Sequence, residues 1–182
     1  LARFPFKGSG ILIGLFFAGM MIPVHCTLIP LYNMMNMAGL IDHLWALLFP
    51  YVASSLPIAV FLTYGHYQQL PKELEEAARI DGCSVTGMFF RVFLPLSKPV
   101  ISTISILTAL SAWNEFMFAN VFLSDPNQKT LPIGLLALKG TYSTDYAALC
   151  AALTMSAVPI ILVYVLMSNK IQSGMVAGAV KS

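Results

Sequence analysis

One apolar run decides the fold class of this chain: Tyr146-Ala-Ala-Leu-Cys-Ala-Ala-Leu-Thr-Met-Ser-Ala-Val-Pro-Ile-Ile-Leu-Val-Tyr-Val-Leu-Met167. The run contains no charged residue and is long enough to cross a bilayer, which takes about 20 helical residues. A membrane β-strand would alternate polar and apolar side chains over about ten residues. Because this run is continuously apolar, it predicts a membrane-spanning helix.

Three further runs have the same character, over Gly10–Tyr32, Leu44–Tyr64 and Val100–Leu123. The composition agrees, since 58% of the 182 residues are hydrophobic and only 10% are charged, whereas a soluble domain is roughly 25% charged. We therefore predict an all-α membrane protein, a polytopic bundle of about four transmembrane helices in one domain over residues 1–182. Prolines lie inside three of the runs, which is typical both of helices that line a transport path and of ordinary kinks.

Basic residues are distributed unevenly among the segments that connect these runs. If all four runs cross, eight Lys and Arg lie on one side of the membrane and two on the other. The eight are Arg3, Lys7, Lys72, Arg79, Arg91, Lys98, Lys170 and Lys181, and the two are Lys129 and Lys139. Because basic residues are retained on the cytoplasmic side, we predict that the segment between the second and third runs and the C-terminus are cytoplasmic.

Several kinds of chemistry are excluded by the sequence. No basic run could neutralise a nucleic-acid backbone, and the three cysteines are too scattered for a disulfide framework. The three histidines, His25, His43 and His66, lack the spacing of metal ligands. Gly82 and Gly87 bracket four residues as in a phosphate-binding loop, but Met88 and Phe89 follow where Lys and Ser or Thr are required. We expect no ATP hydrolysis, metal or cofactor on this chain.

The segment between the second and third runs predicts two short helices joined at Gly82. Pro71 and three glutamates suit the first turn of the first helix, Gly82 can end it, and Ser84 can cap the second. Two pairs have i, i+4 spacing: Lys72 with Glu76, and Glu75 with Arg79. The second helix carries an apolar face before Pro95 stops it, formed by Met88, Phe89, Val92 and Phe93.

Two interpretations of this helix pair are open. It is shaped to enter a groove on another protein, with small Ala77 and Ala78 beside an acidic residue. It could instead be a solvated amphipathic loop on the membrane surface. The first helix has four acidic residues against two basic ones, whereas anionic lipid attracts basic helices, so the charge favours the protein partner.

These residues resemble a known family. Glu76-Ala77-Ala78, three residues, Gly82, nine residues and Val92-Phe93-Leu94-Pro95 are similar to the EAA loop of bacterial ABC importer permeases, whose pattern is EAA, x3, G, x9, I, x, L, P. Val92 stands where that pattern has Ile. The similarity extends over essentially the whole chain and is to the carbohydrate-uptake branch, especially its smaller, maltose-type permease subunit. It includes Leu94-Pro-Leu-Ser-Lys-Pro99, Ala112-Trp-Asn-Glu-Phe116, Thr130-Leu-Pro-Ile-Gly-Leu135 and Ala177-Gly-Ala-Val-Lys181.

The resemblance implies that residues 69–95, here called the coupling segment, dock into a cleft of a cytoplasmic ATPase. By position, Glu76 would pair with a basic residue of the ATPase, and the small alanines would permit close packing. The residues assigned to this contact are Glu76, Ala77, Ala78, Arg79, Asp81, Gly82, Leu94 and Pro95. The apolar residues of the second helix would supply most of the docking, and Gly178–Ser182 would be a lesser contact.

The resemblance also implies partners and a location. The partners would be a second permease subunit, an ATPase dimer that holds ATP and Mg²⁺, an extracytoplasmic solute-binding protein and membrane lipid. The chain would be a multi-pass protein of the bacterial inner membrane with a cytoplasmic C-terminus. Because such subunits usually have six spans and this sequence begins at Leu1 in a basic stretch, we expect it to lack the first two spans.

Glu115 is the only carboxylate inside an apolar run, beside Trp113 and Asn114. Since a charge is costly at membrane depth, the three side chains either line the sugar path or form interhelical hydrogen bonds that lock or gate the bundle. On the outer side, Ser124–Asp145 could contact the binding protein or cap the path, or be a plain loop.

The cargo is left open between sugars of different length and glycerol phosphate. A different class of protein is also open: a passive channel or a membrane enzyme whose cytoplasmic helices bind a regulator.

Overall fold

The computed structural model describes residues 1–139 and 145–179, with side chains except those of 137 and 166–179. Every regular element in this part is helical, which confirms the all-α class. The α-helices are, in order, α1 Ser9–Gly19, α2 Leu28–Met37, α3 Trp45–Gln69, α4 Glu73–Ile80, α5 Val85–Met88, α6 Leu94–Leu96, α7 Lys98–Asn114, α8 Met117–Phe122, α9 Leu131–Ala137 and α10 Tyr146–Ala179. Shorter pieces are the 3₁₀ helices Val24–Thr27 and Pro126–Gln128 and the π-helix Phe89–Phe93.

Two of these helices are long and apolar enough to cross a membrane: α3 and, within α10, Tyr146–Val165. Two bent pairs also qualify if each is counted as one span: α1 with Val24–Met37, and Val85–Leu96 with α7. The described residues thus contain between two and four candidate spans. None of the residues Tyr146–Val165 is buried within the chain, so a surface this apolar requires lipid or other helices around it.

The first predicted run, Gly10–Tyr32, is a bent pair of helices and not one continuous helix. Helix α1 ends at Gly19, and helical structure resumes at Val24 after Pro23 in an extended conformation. The ring of a proline disfavours helical backbone at the residue before it, which explains why the break lies there. Pro30 falls in the first turn of α2, where proline is tolerated.

The third predicted run, Val100–Leu123, is also interrupted. Helix α7 begins at Lys98 and ends at Asn114, and the separate helix α8 starts at Met117. The other two runs stay continuous through their prolines, since α3 and α10 are unbroken.

The chain divides into two compact units. Of the described residues, unit 1 comprises 1–20, 57–107 and 167–179, and unit 2 comprises 21–56, 108–139 and 145–166. In unit 1 a buried cluster is formed by Ala78, Met88 and Phe93. In unit 2 the buried cluster is formed by Met35, Ala46, Leu47, Phe118, Ala119, Phe122, Leu123 and Ile133. The single domain over residues 1–182 stays a prediction.

The second helix of the coupling segment continues one residue beyond Pro95. Helix α5, the π-helix and α6 follow one another without a gap from Val85 to Leu96. Ser97 then forms a turn, and α7 leaves it at a bend of 65°. The coupling segment is therefore joined directly to the helix that follows it.

Candidate functional site: the coupling segment

Gly82 forms the turn between the two helices of the coupling segment. Its φ is +74°, a left-handed conformation that glycine adopts without the steric cost of a side chain. The amide of Gly82 donates to the carbonyl oxygen of Arg79 at 3.0 Å, and the amide of Cys83 donates to that of Ala78 at 2.9 Å. These bonds satisfy carbonyls at the end of α4 and confirm the turn predicted from the sequence.

Ser84 caps the second helix, as the sequence predicts. Its backbone is extended, and its Oγ accepts a hydrogen bond from the amide of Gly87 at 3.1 Å. Side-chain caps of this kind satisfy a donor that the helix leaves unpaired. The cap therefore sets the start of the helix at Val85, three residues after the turn.

The inner face of the helix pair packs against the chain itself. Ala78, Met88 and Phe93 are 5%, 1% and 3% exposed, and they contact Tyr67, Leu70, Cys83 and Val92. The small side chain of Ala78 thus permits close approach within the coupling segment. Met88 and Phe93, two of the four residues of the predicted apolar face, also pack within the coupling segment.

The outer face and the tip of the segment are open. Most residues assigned to the ATPase contact are exposed, namely Glu76, Ala77, Arg79, Asp81, Gly82, Leu94 and Pro95. Two apolar residues on either side of the turn, Ile80 and Val85, are 86% and 60% exposed. Ile80 and Val85 were not among the predicted contact residues, although two apolar residues beside the polar turn at Gly82 indicate an apolar contact there.

Arg3 fastens the base of the segment, and the sequence analysis missed it. Its Nε donates to the carbonyl oxygen of Tyr67 at 2.7 Å, and its Nη2 donates to that of Leu70. Its Nη1 lies 3.2 Å from Oε1 of Glu75 in an ion pair. Glu75 was expected to pair with Arg79 on its own helix, and it pairs with Arg3, 72 positions earlier, which sequence spacing could not reveal.

A second polar contact lies under the helix pair, at Ser97. Its Oγ is 2.7 Å from the Tyr67 hydroxyl oxygen and 2.6 Å from the Phe93 carbonyl oxygen. Because a carbonyl can only accept, Ser97 donates to Phe93 and the Tyr67 hydroxyl donates to Ser97. The Tyr67 ring also meets the Phe93 ring edge to face at 5.7 Å, so α3 contacts the second helix through both polar and aromatic groups.

Glu115 and its two neighbours, Trp113 and Asn114, form hydrogen bonds inside unit 2. The Glu115 carboxylate accepts from the amides of Phe118 and Ala119 at 2.7 and 3.1 Å, and from the Tyr51 hydroxyl at 2.8 Å. It therefore caps α8 and joins it to α3.

The other two residues bond to different partners. The Trp113 indole donates to the carbonyl oxygen of Ser156 at 3.3 Å, and the Asn114 amide donates to that of Leu110 at 2.8 Å. The Trp113 and Glu115 bonds join different helices, whereas the Asn114 bond lies within α7. Both the gating role and the sugar-path role of the three residues stay predictions.

Asp42 makes a second capping contact in unit 2 that sequence analysis missed. Its φ is +62°, and its Oδ1 accepts from the amides of Ser124 and Asp125. This ties the turn before α3 to the start of the segment Ser124–Asp145. Of that segment, residues 140–144 lie outside the described residues, as do residues 180–182 of the predicted C-terminal contact.

Among the residues that the structure describes, no group of three His, Cys, Asp or Glu side chains could hold a metal ion.

Comparison with known proteins identifies the family. Residues 1–173 match the binding-protein-dependent transport system inner membrane component family. The chain belongs to this family. Membership accounts for the apolar helices and places the coupling segment in a transport-system membrane component.

Individual relatives agree over the full length of the chain. The probable ABC transporter permease protein YurM of Bacillus subtilis is 44% identical over 100% of this chain and 60% of its own length. The trehalose/maltose transport system permease protein MalG of Thermococcus litoralis is 34% identical over 100% of this chain and 66% of its own length. The chain thus spans about two thirds of the length of the curated relatives it matches.

A solved structure has the same fold. One chain of a bacterial ABC transporter involved in the import of the acidic polysaccharide alginate superposes with a TM-score of 0.77. The match covers 92% of this chain and 64% of the other, at 22% sequence identity. At that identity the likeness concerns the fold alone.

Proposed function

We propose that this chain is part of the permease subunit of an ABC importer, and that its coupling segment transmits ATPase closure to the membrane helices. The observation that carries the proposal is the division of the segment into a buried base and an exposed tip. The base packs through Ala78, Met88 and Phe93, while Ile80 is 86% exposed. A segment whose base is packed against its own chain and whose tip is exposed is suited to insertion into another protein.

Charge supports an acidic contact with the partner. Glu76 is exposed on the same helix as Ile80, so a basic residue of the ATPase can reach it. A hydrogen bond to a charged group contributes about 1.5–3 kcal/mol. That contribution couples two proteins without holding them alone, so Ile80, Val85 and the exposed Phe89 and Phe90 supply apolar contact area.

The proposed cargo is a sugar or oligosaccharide. The names of relatives refer to arabinooligosaccharides in Bacillus subtilis, sulfoquinovosyl glycerol in Agrobacterium fabrum and diacetylchitobiose in Streptomyces coelicolor. Each contains a saccharide, so we favour sugars over glycerol phosphate. Uptake of radiolabelled oligosaccharide, but not of glycerol 3-phosphate, by cells that carry the complete transporter tests this choice.

The proposed complex also contains a second permease subunit, an ATPase dimer with ATP and Mg²⁺, and an extracytoplasmic solute-binding protein. This chain binds no nucleotide and performs no catalysis in that assembly. The family assigns it to the inner membrane, and we propose that its coupling segment and C-terminus are cytoplasmic.

The docking site is tested in the full-length protein assembled with its ATPase. Glu76→Lys replaces an attractive charge with a repulsive one, and Gly82→Pro is incompatible with the φ of +74° at that turn. We expect each to lower uptake about tenfold or more, as losing about 1.4 kcal/mol of coupling implies, with unchanged membrane insertion.

The matched control is Glu73→Lys. It makes the same charge change in the first turn of α4 and disturbs the helix dipole at least as much. Uptake unaffected by both Glu76→Lys and Gly82→Pro would overturn the proposed docking site.

A further inference from the structure

The joint between α3 and α4 is one of two places where the coupling segment is covalently connected to the longer helices, the other being its junction with α7 at Ser97. Helix α3 ends at Gln69 and α4 begins at Glu73, so three residues of non-helical chain separate them. A short linker of this kind bends easily unless other contacts hold it. Motion of α4 would then be absorbed at the linker without moving α3.

Arg3 bridges this joint. On one side it donates to the carbonyl oxygens of Tyr67 and Leu70, at and just beyond the C-terminal end of α3. On the other side it pairs with Glu75 in the first turn of α4 at 3.2 Å. Nε and Nη2 each donate a hydrogen bond, and Nη1 takes part in the ion pair, which the planar fork of arginine allows at the same time.

Negative groups on both helices favour a cation at this position, and the glutamates offset the partial positive charge that the N-terminus of α4 itself carries. The carbonyls at the end of α3 carry partial negative charge, and the first turn of α4 contains three glutamates. An exposed ion pair alone contributes little. Here the side chains of Arg3 and Glu75 are 11% and 16% exposed, and two backbone carbonyls add bonds that fix the geometry.

The neighbouring residue extends the contact to the second helix. The Phe4 ring meets the Phe93 ring edge to face at 6.4 Å. The segment that precedes α1 thus contacts the end of α3, the start of α4 and the π-helix. These contacts join the three elements at the base of the coupling segment.

We propose that Arg3 is a positioning residue for energy coupling: it stiffens the α3–α4 joint so that movement of the coupling segment is transmitted to the spans. The inference rests on the proposed function, because it presupposes that a partner moves this segment. It adds a residue outside the EAA pattern to the transmission path.

The test compares transport with ATP hydrolysis in the complete transporter in proteoliposomes. Arg3→Ala should lower the amount of sugar imported per ATP hydrolysed by about fivefold or more, the lower end of typical coupling between sites. Glu75→Gln should have a smaller effect, because the two carbonyl bonds remain. Arg3→Lys should also be intermediate, since one ammonium cannot serve three separated acceptors.

The matched control is Lys7→Ala, an exposed basic residue of the same segment, which should leave the ratio unchanged. The stiffness of the α3–α4 joint is read out directly with spin labels at Gln68→Cys and Ile80→Cys in a protein without its native cysteines. Arg3→Ala should broaden the distance distribution between them, and Lys7→Ala should not.

The inference is overturned if Arg3→Ala lowers transport and ATP hydrolysis in equal proportion, as simple loss of folded protein would. If Arg3→Ala does not assemble, an unchanged ratio in both Arg3→Lys and Glu75→Gln overturns it. Uncoupling by Glu76→Lys without uncoupling by Arg3→Ala rejects the role of Arg3 and keeps the docking site. The reverse result rejects the docking role of Glu76 and keeps Arg3.

Discussion

Ser97 is the buried polar residue that joins α3 to the second helix of the coupling segment. It is 1% exposed and contacts the Tyr67 hydroxyl. We predict that Ser97→Ala leaves that hydroxyl unpaired and destabilises the protein by about 1–3 kcal/mol. The melting temperature of the purified full-length protein measures the loss.

A double-mutant cycle separates this bond from general packing. If the two hydroxyls interact, Ser97→Ala combined with Tyr67→Phe costs less than the sum of the single changes. Ser105→Ala, at an exposed position of α7, is the control and should change stability little. Strictly additive losses of stability would contradict a hydrogen bond between Ser97 and Tyr67.

Glu115 can be assigned to capping or to substrate binding by experiment. We predict that Glu115→Ala destabilises the protein by about 0.5–2 kcal/mol, because two amides at the start of α8 lose their acceptor. Tyr51→Phe removes one of the three bonds and should cost less. Thermal denaturation measures stability, and the sugar concentration dependence of uptake gives KM.

A capping role leaves KM unchanged while the melting temperature falls. A rise in KM at normal stability would assign Glu115 to the sugar path and contradict the structural role.

At the scale of the element, the two alanines of α4 have different surroundings. Ala78 is buried against the second helix, and Ala77 is exposed. We predict that Ala78→Leu overpacks the cluster and costs about 1–3 kcal/mol of stability. Ala77→Leu should leave stability unchanged and weaken ATPase binding, which co-purification measures.

The two alanine variants are matched controls for each other, since both add the same atoms to neighbouring positions. Equal losses of stability would contradict the assignment of Ala78 to packing and Ala77 to the outer face.

The helix breaks show where sequence reasoning succeeded and where it failed. The spans of α3 and α10 were predictable, because a long uncharged run needs only apolar content to be recognised. The break after Asn114 was not, since both helices that flank it, α7 and α8, lie in one largely apolar run. It depends on Glu115 capping α8, and a hydropathy profile does not show such a hydrogen bond.

The same division holds for the candidate site. The turn at Gly82 and the cap at Ser84 were predictable because both are set by local backbone chemistry. The roles of Arg3, Ser97 and the buried Ala78 were not, because their partners are distant in sequence or lie on another helix face.

At the scale of the whole molecule, the orientation predicted from basic residues awaits a labelling experiment. We predict that Ile80→Cys is cytoplasmic and that Asn127→Cys is outside, each in a full-length protein without its native cysteines. Both positions are exposed. A membrane-impermeant maleimide should label Asn127→Cys in intact cells and Ile80→Cys only in inverted vesicles without the ATPase.

The reverse labelling pattern would contradict both the orientation and the proposed docking site. The cysteine-free parent is the control for background labelling.

The π-helix Phe89–Phe93 has a consequence for the direction in which the tip of the coupling segment points. A π turn accommodates one residue more than an α turn, and each α-helical residue turns the chain by about 100°. Deleting a single residue there would rewind the stretch into regular α-helix and swing Ile80 and Val85 around the axis. The direction in which the tip points therefore depends on how many residues this stretch contains as well as on which residues they are.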